Sequence, residues 1–181
     1  MNPRTLTNAC LLLLAVLIPS AAYAQGARLQ LGHLDKLAEK AEETVDVTVD
    51  GAMLKETAGF LAGKGADVAK LQQVLQGITG IYVKSFEFNS ANAYTEADVE
   101  TVRKQLAAPG WSRIVGIREK GELTEIYLWK EGDTNGGLAV ISAEPNELTI
   151  VNIIGRVDLA SLGALGPMIP NLGAIRKGVS R

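Results

Sequence analysis

The second half of this chain commits it to an antiparallel sheet. Residues 111–119, 123–130, 137–143 and 148–154 are strand-like runs rich in β-branched and aromatic residues. The turn signals between them are Lys120-Gly121, Asp133-Thr134-Asn135-Gly136-Gly137 and Glu144-Pro145-Asn146. Connections this short cannot carry a parallel crossover, which takes a dozen or more residues. Consecutive runs must therefore pair as a meander. Asn135-Gly136, within the second of these, is the strongest short hairpin dipeptide.

The first half mixes the two periodicities. Leu29, Leu31, Leu34 and Leu37 suggest a short amphipathic helix over 34–40. Residues 43–50 alternate strictly, with Val45, Val47 and Val49 against Asp46, Thr48 and Asp50, as a half-buried strand does. Two helices are expected at 53–61 and 67–75, the second capped by Asp67, with Gly63-Lys64-Gly65 as the break. A strand follows at 80–88, with Tyr82, Phe86 and Phe88 on one face and Ile81 and Val83 on the other. Thr95 and Asp98 form a variant capping box for a helix whose stripe is Val99, Val102 and Leu106. Glu100 and Lys104 are an i,i+4 pair on it, and Pro109-Gly110 ends it. The expected fold is α+β: a single, mainly antiparallel sheet with helices packed on one face, in the order β-α-α-β-α-β-β-β-β. It occupies 25–157 as one domain.

Both ends differ from this body. Arg4, an apolar core around Leu11 to Ile18 and the small-x-small triplet Ala22-Tyr23-Ala24 make 1–24 a signal peptide. Cleavage is expected between Ala24 and Gln25, which sends the protein across the inner membrane into the periplasm. The core is too short for a membrane span, and Pro19 and Ser20 interrupt it. Cys10 precedes the apolar core, where a lipid-modified cysteine would follow it. Cys10 is also the chain's one cysteine, so the mature protein has no thiol for nucleophilic, zinc or redox chemistry. At the other end, 158–181 carries Leu165, Met168 and Ile169 among Gly166, Pro167 and Pro170. This apolar, broken tail either covers an edge of the sheet or meets a partner. No stretch of the mature chain is long and apolar enough to span a bilayer. A net charge of −2 with no basic tract argues against nucleic acid.

Catalytic chemistry finds little footing. His33 is the one histidine, without a second imidazole to build a metal site or a hydrolase motif to serve as base. Gly63-Lys64-Gly65 lacks the spacing of a phosphate loop. Asp133-Thr134-Asn135-Gly136 lacks the closing glutamate of a calcium loop. No cofactor is expected. Asp46 and Asp50 share a strand face about 13 Å apart, wider than the carboxylate pairs of glycosidases. The aromatics concentrate on strands. Tyr127 and Trp129 share a face with Leu123 and Glu125, while Ile126 and Leu128 occupy the other. Tyr82, Phe86, Phe88, Trp111, Tyr127 and Trp129, with Leu165, Met168 and Ile169 of the tail, form a candidate interaction surface for a protein partner or a second copy.

A resemblance rests on Leu34-Asp35-Lys36-Leu37, Val45-Asp46-Val47-Thr48-Val49, residues 54–62, Leu71 to Leu75 and the strand reaching Phe88. Over residues 34–154 the chain resembles DUF4252, an exported bacterial family of unknown function. The resemblance implies an exported protein, often Gram-negative, sometimes encoded near extracytoplasmic-function sigma factors. That neighbourhood would fit envelope signalling. It brings no catalytic residues. The leading expectation is a non-enzymatic periplasmic binding domain. The alternatives are a hydrolase using Asp46, Asp50, Glu87 or Glu125, and a carrier of a small apolar ligand or lipid.

Overall fold

Alternation and turn chemistry become a six-stranded sheet in a computed structural model that describes residues 26–51, 53–54 and 77–156. Its elements are β1 (Glu43–Asp50), β2 (Ile78–Glu87), α1 (Glu96–Leu106), β3 (Trp111–Glu119), β4 (Glu122–Glu131), β5 (Thr134–Glu144) and β6 (Glu147–Gly155). The spatial order is β1-β2-β6-β5-β4-β3, with every neighbouring pair antiparallel. The expected meander is β3 to β6, and its last strand docks against β2. Strands β1 and β3 are the edges.

The pleat divides the side chains into two apolar faces. One is aromatic: Phe86, Tyr127 and Trp111 lie there with Ala139, Ile141, Leu148 and Ile150. Leu29, Leu31, Leu34 and Leu37 cover it from the N-terminal side, and Val99, Val102 and Leu106 of α1 cover the rest. The other face is aliphatic, built from Ile81, Val83, Ile126, Leu128, Leu138, Val140, Val151 and Ile153, with Leu54 packed on it. Strands with apolar residues on both faces read as near-continuous hydrophobic runs, as in Ala139-Val140-Ile141 and Ile150-Val151.

Three local expectations change. The segment expected to be an α-helix over 34–40 is a 3-10 helix, Gly32–Leu37. With three residues per turn, Leu31, Leu34 and Leu37 eclipse and all face the sheet. Asn135-Gly136 is not the hairpin turn. Thr134 and Asn135 pair with Glu131 and Lys130, and the chain reverses at Gly132-Asp133, where Gly132 takes φ +60. Trp129 then pairs with Gly137, so Gly136 is the extra residue of a β-bulge. On α1, Glu100 turns to Arg103 at 3.5 Å rather than to Lys104. Apart from helical Met53 and Leu54, the helices expected at 53–61 and 67–75 lie outside the described residues, as do 1–25 and the tail over 158–181.

Candidate functional site

Residues 27–31 lie outside helix and strand against the aromatic face, with Ala27, Leu29 and Leu31 buried and Arg28 and Gln30 exposed. A segment outside regular structure must find partners for its buried peptide groups. Two side-chain amides supply them. Asn152 of β6, 0% exposed, accepts from Leu29 N–H at 2.9 Å and donates to the Ala27 carbonyl at 2.9 Å. Gln105 of α1 accepts from Gln30 N–H at 2.7 Å and donates to the Gln30 carbonyl at 2.9 Å. Gly137 allows the close approach, since a Cβ there would lie 2.6 Å from that of Ala27.

Between this segment and strands β1 and β2 lies a groove of about 160 Å³, lined among others by Arg28, Leu31, Asp46, Thr48, Tyr82 and Lys84. The Arg28 guanidinium sits 4.4 Å above the Tyr82 ring. Lys84 Nζ bridges Asp35 and Asp46, each at 2.6 Å. Burial alone would lower the Lys84 pKa, but the two carboxylates raise it above its ordinary value. The groove thus carries matched charge.

The carboxylates singled out from the sequence are not brought together. Asp46 on β1 and Glu125 on β4 are separated by four strand spacings, about 19 Å. Asp50 Oδ1 accepts from Met53 N–H at 3.3 Å. The Glu125 side chain, 5% exposed, accepts from Arg103 Nε at 2.8 Å, Arg113 Nη1 at 2.9 Å and the Tyr127 hydroxyl at 3.3 Å. Burial pushes its pKa up, and the two guanidiniums overcome that and hold it below the usual carboxylate range. Asp98, although buried, is lowered to about 2 by Lys36 and by the Thr95 hydroxyl and N–H. His33 Nε2 lies 3.3 Å from the Asp98 carbonyl.

Glu87 belongs to a different arrangement. It pairs across strands with Glu43 and with Glu147, Glu147 pairs with Glu144, and Glu122 pairs with Glu119. The β4–β5 register places Glu122 beside Glu144. One glutamate per strand therefore crosses this end of the sheet on the aliphatic side. Burial, then Glu147 and Glu122, raise the Glu144 pKa. Among the described residues no three acidic or histidine side chains converge on a metal-sized site.

The aromatic candidates occupy one face but differ in access. Phe86 and Phe88 are each 2% exposed and Tyr127 is buried, beneath α1 and the N-terminal segment. Phe88 packs between Phe86 and Tyr94, whose hydroxyl donates to the Glu144 carbonyl. A partner could reach these rings only by displacing their cover. Tyr82, Trp111 and Trp129 are half-buried. Leu165, Met168 and Ile169, with the cleavage pair Ala24 and Gln25, lie outside the described residues. The sequence reading missed Arg28, Lys84, Gln105 and Asn152. Only Asn152 left a trace, as a polar residue inside an apolar run.

Both edge strands are open. Along β3 only Trp111 and Val115 are better than exposed, and Ile114 and Ile117 remain 44% and 36% exposed. Along β1 the three valines are half-buried and the intervening residues exposed. No helix among the described residues is long and apolar enough to cross a membrane.

The family model described as domain of unknown function DUF4252 matches residues 38–165, which take in all six strands and α1. The chain belongs to that family. No curated protein matches it, and no solved structure does.

Proposed function

We propose that this member of the DUF4252 family is a non-enzymatic binding domain that works in the periplasm once residues 1–24 are removed. The observation that carries the reading is a contrast. The buried acids are consumed by cations, Glu125 by Arg103 and Arg113 and Asp98 by Lys36, whereas apolar Ile114 and Ile117 stand exposed on an edge strand. Buried charge that is fully paired serves structure, and an open edge strand is a template for pairing with another chain. The signal pattern around Ala22-Tyr23-Ala24 supports export. A part in envelope signalling is the finer reading, and it is an implication of the family resemblance alone.

Two measurements test it. Intact-mass spectrometry of the exported protein is expected to give an N-terminus at Gln25, and a chain still starting at Met1 sinks the export claim. A photo-crosslinking amino acid placed at Ile117 is expected to give discrete adducts in intact periplasm. Unreacted protein alone, at all expression levels, argues against a binding domain.

A further inference from the structure

The two edges of this sheet fit each other. Six strands with antiparallel neighbours throughout leave β1 and β3 running in opposite directions. A second copy set beside the first in the same orientation therefore places its β1 antiparallel to β3, with both faces of the sheet continuous. Arg113 and Arg118 lie on the aromatic side, opposite Tyr127 and Leu123. They are five residues apart in sequence, but the bulge between Arg113 and Val115 removes one rung, leaving four rungs between them, about 13 Å. Asp46 and Asp50 of β1 lie on the same side, opposite Lys84 and Gly80, and are also four rungs apart.

One register aligns both charged pairs and two apolar pairs. With Arg118 opposite the second copy's Asp46, Arg113 falls opposite its Asp50. On the aliphatic side Ile117 then meets its Val47, and Val115 its Val49. Gly116, over which the Arg113 side chain lies, falls opposite its Thr48. Cross-strand pairs of opposite charge and of β-branched residues are the units that stabilise a sheet. The pairs already made do not exhaust Asp46 and Arg113. Lys84 takes Asp46 Oδ2 and Glu125 takes Arg113 Nη1, leaving the second Asp46 oxygen and further Arg113 N–H groups. Like edges do not match: β1 against β1 gathers Glu43, Asp46 and Asp50 of both copies, and β3 against β3 gathers four arginines on one side. Charge thus selects unlike edges as well as drawing them together.

We propose that this chain associates head to tail through β3 of one copy and β1 of the next, extending one antiparallel sheet from molecule to molecule. The inference rests on the reading of the protein as a binding domain and names a second copy as its partner. Each copy added leaves one edge of each kind, so the assembly is open and grows with concentration.

Sedimentation velocity of the chain from Gln25 to Arg181, over a concentration series at low salt, is expected to show masses above the monomer in whole-number steps. Arg118→Glu is expected to weaken association at least about tenfold. Asp46→Arg is expected to do the same, and an equimolar mixture of the two variants to restore it, because each then offers the other a matched edge. Circular dichroism checks that each variant is folded. Should Asp46→Arg not fold, Arg118→Glu together with loss of association at high salt tests the same pairing. A monomer at every concentration overturns the proposal, as does a dimer that grows no further or association indifferent to Arg118→Glu. A crosslink from position 117 to a different protein, with the chain itself monomeric, overturns self-pairing and leaves the binding-domain reading standing.

Discussion

Asn152 holds the N-terminal segment to the sheet through groups that an apolar residue lacks. It donates to the Ala27 and Leu138 carbonyls and accepts from Leu29 N–H. Asn152→Ala leaves Ala27 and Leu29 peptide groups without their partner and opens a cavity in the filled core. The expected cost is about 2–4 kcal/mol, combining the unpaired groups with the lost packing. A urea titration reads it, and hydrogen exchange at the Leu29 amide should accelerate ahead of the β5 and β6 amides. An unchanged urea midpoint would mean that the segment is held by its leucines alone. This residue shows where sequence reading stops. Its side chain sits 123 positions from the N–H it binds, and a period-two pattern carries no information about partners so far away. The face on which each aromatic lies was legible, because alternation alone sets it. Which of those aromatics are buried was not, because the cover comes from elsewhere in the chain.

At the scale of elements, α1 was legible from its own residues. Thr95 and Asp98 close the capping box as their spacing suggests, with Asp98 Oδ2 accepting from both the N–H and the hydroxyl of Thr95. Its pH dependence follows. Burial would raise the Asp98 pKa, but Lys36 and Thr95 lower it from 3.8 to about 2. A carboxylate depressed in the folded state stabilises above its unfolded value and loses that contribution as pH falls through the folded one. Between pH 4 and 2 the protein should therefore lose about 2 kcal/mol from this group. Asp98→Asn is expected to remove that part of the acid dependence, read by urea midpoints at successive pH values. A variant with the same acid slope would place the loss elsewhere. The tether from α1 to β4 was not legible, since the Arg103–Glu125 contact depends on how helix and strand cross. Arg103→Met should cost about 2–4 kcal/mol, because it strips one of two cations from a buried carboxylate. A change within error would show that Arg113 alone suffices. The 133–137 hairpin misled for a physical reason: Asn-Gly suits a bulge as well as a turn, and two more rungs of pairing favoured the bulge.

Across the whole molecule, register creates features that no single strand carries. Each strand's end glutamate reads as an ordinary solvated residue. Only the order β1-β2-β6-β5-β4-β3 aligns Glu43, Glu87, Glu147, Glu144, Glu122 and Glu119 into one row. Like charges directly opposite one another across a sheet are destabilising. Glu144, half-buried near the middle of the row, has its pKa raised first by burial and then by Glu147 and Glu122. A carboxyl with a raised folded pKa contributes stability that is present below its unfolded value and lost as pH rises through the folded one. Its charge therefore works against the fold at neutral pH, the reverse of Asp98. The joint contribution of these two groups is greatest between their windows, on the acid side of neutrality. Glu144→Gln is expected to raise stability at pH 7 by about 0.5 kcal/mol, to add little at pH 4, and to lose most of its benefit in high salt, where screening already relieves the row. Urea midpoints of both proteins at the two pH values and two ionic strengths check this. An equal gain at pH 4 and pH 7 would assign the effect to packing at the β5–β6 turn and not to the row of charge.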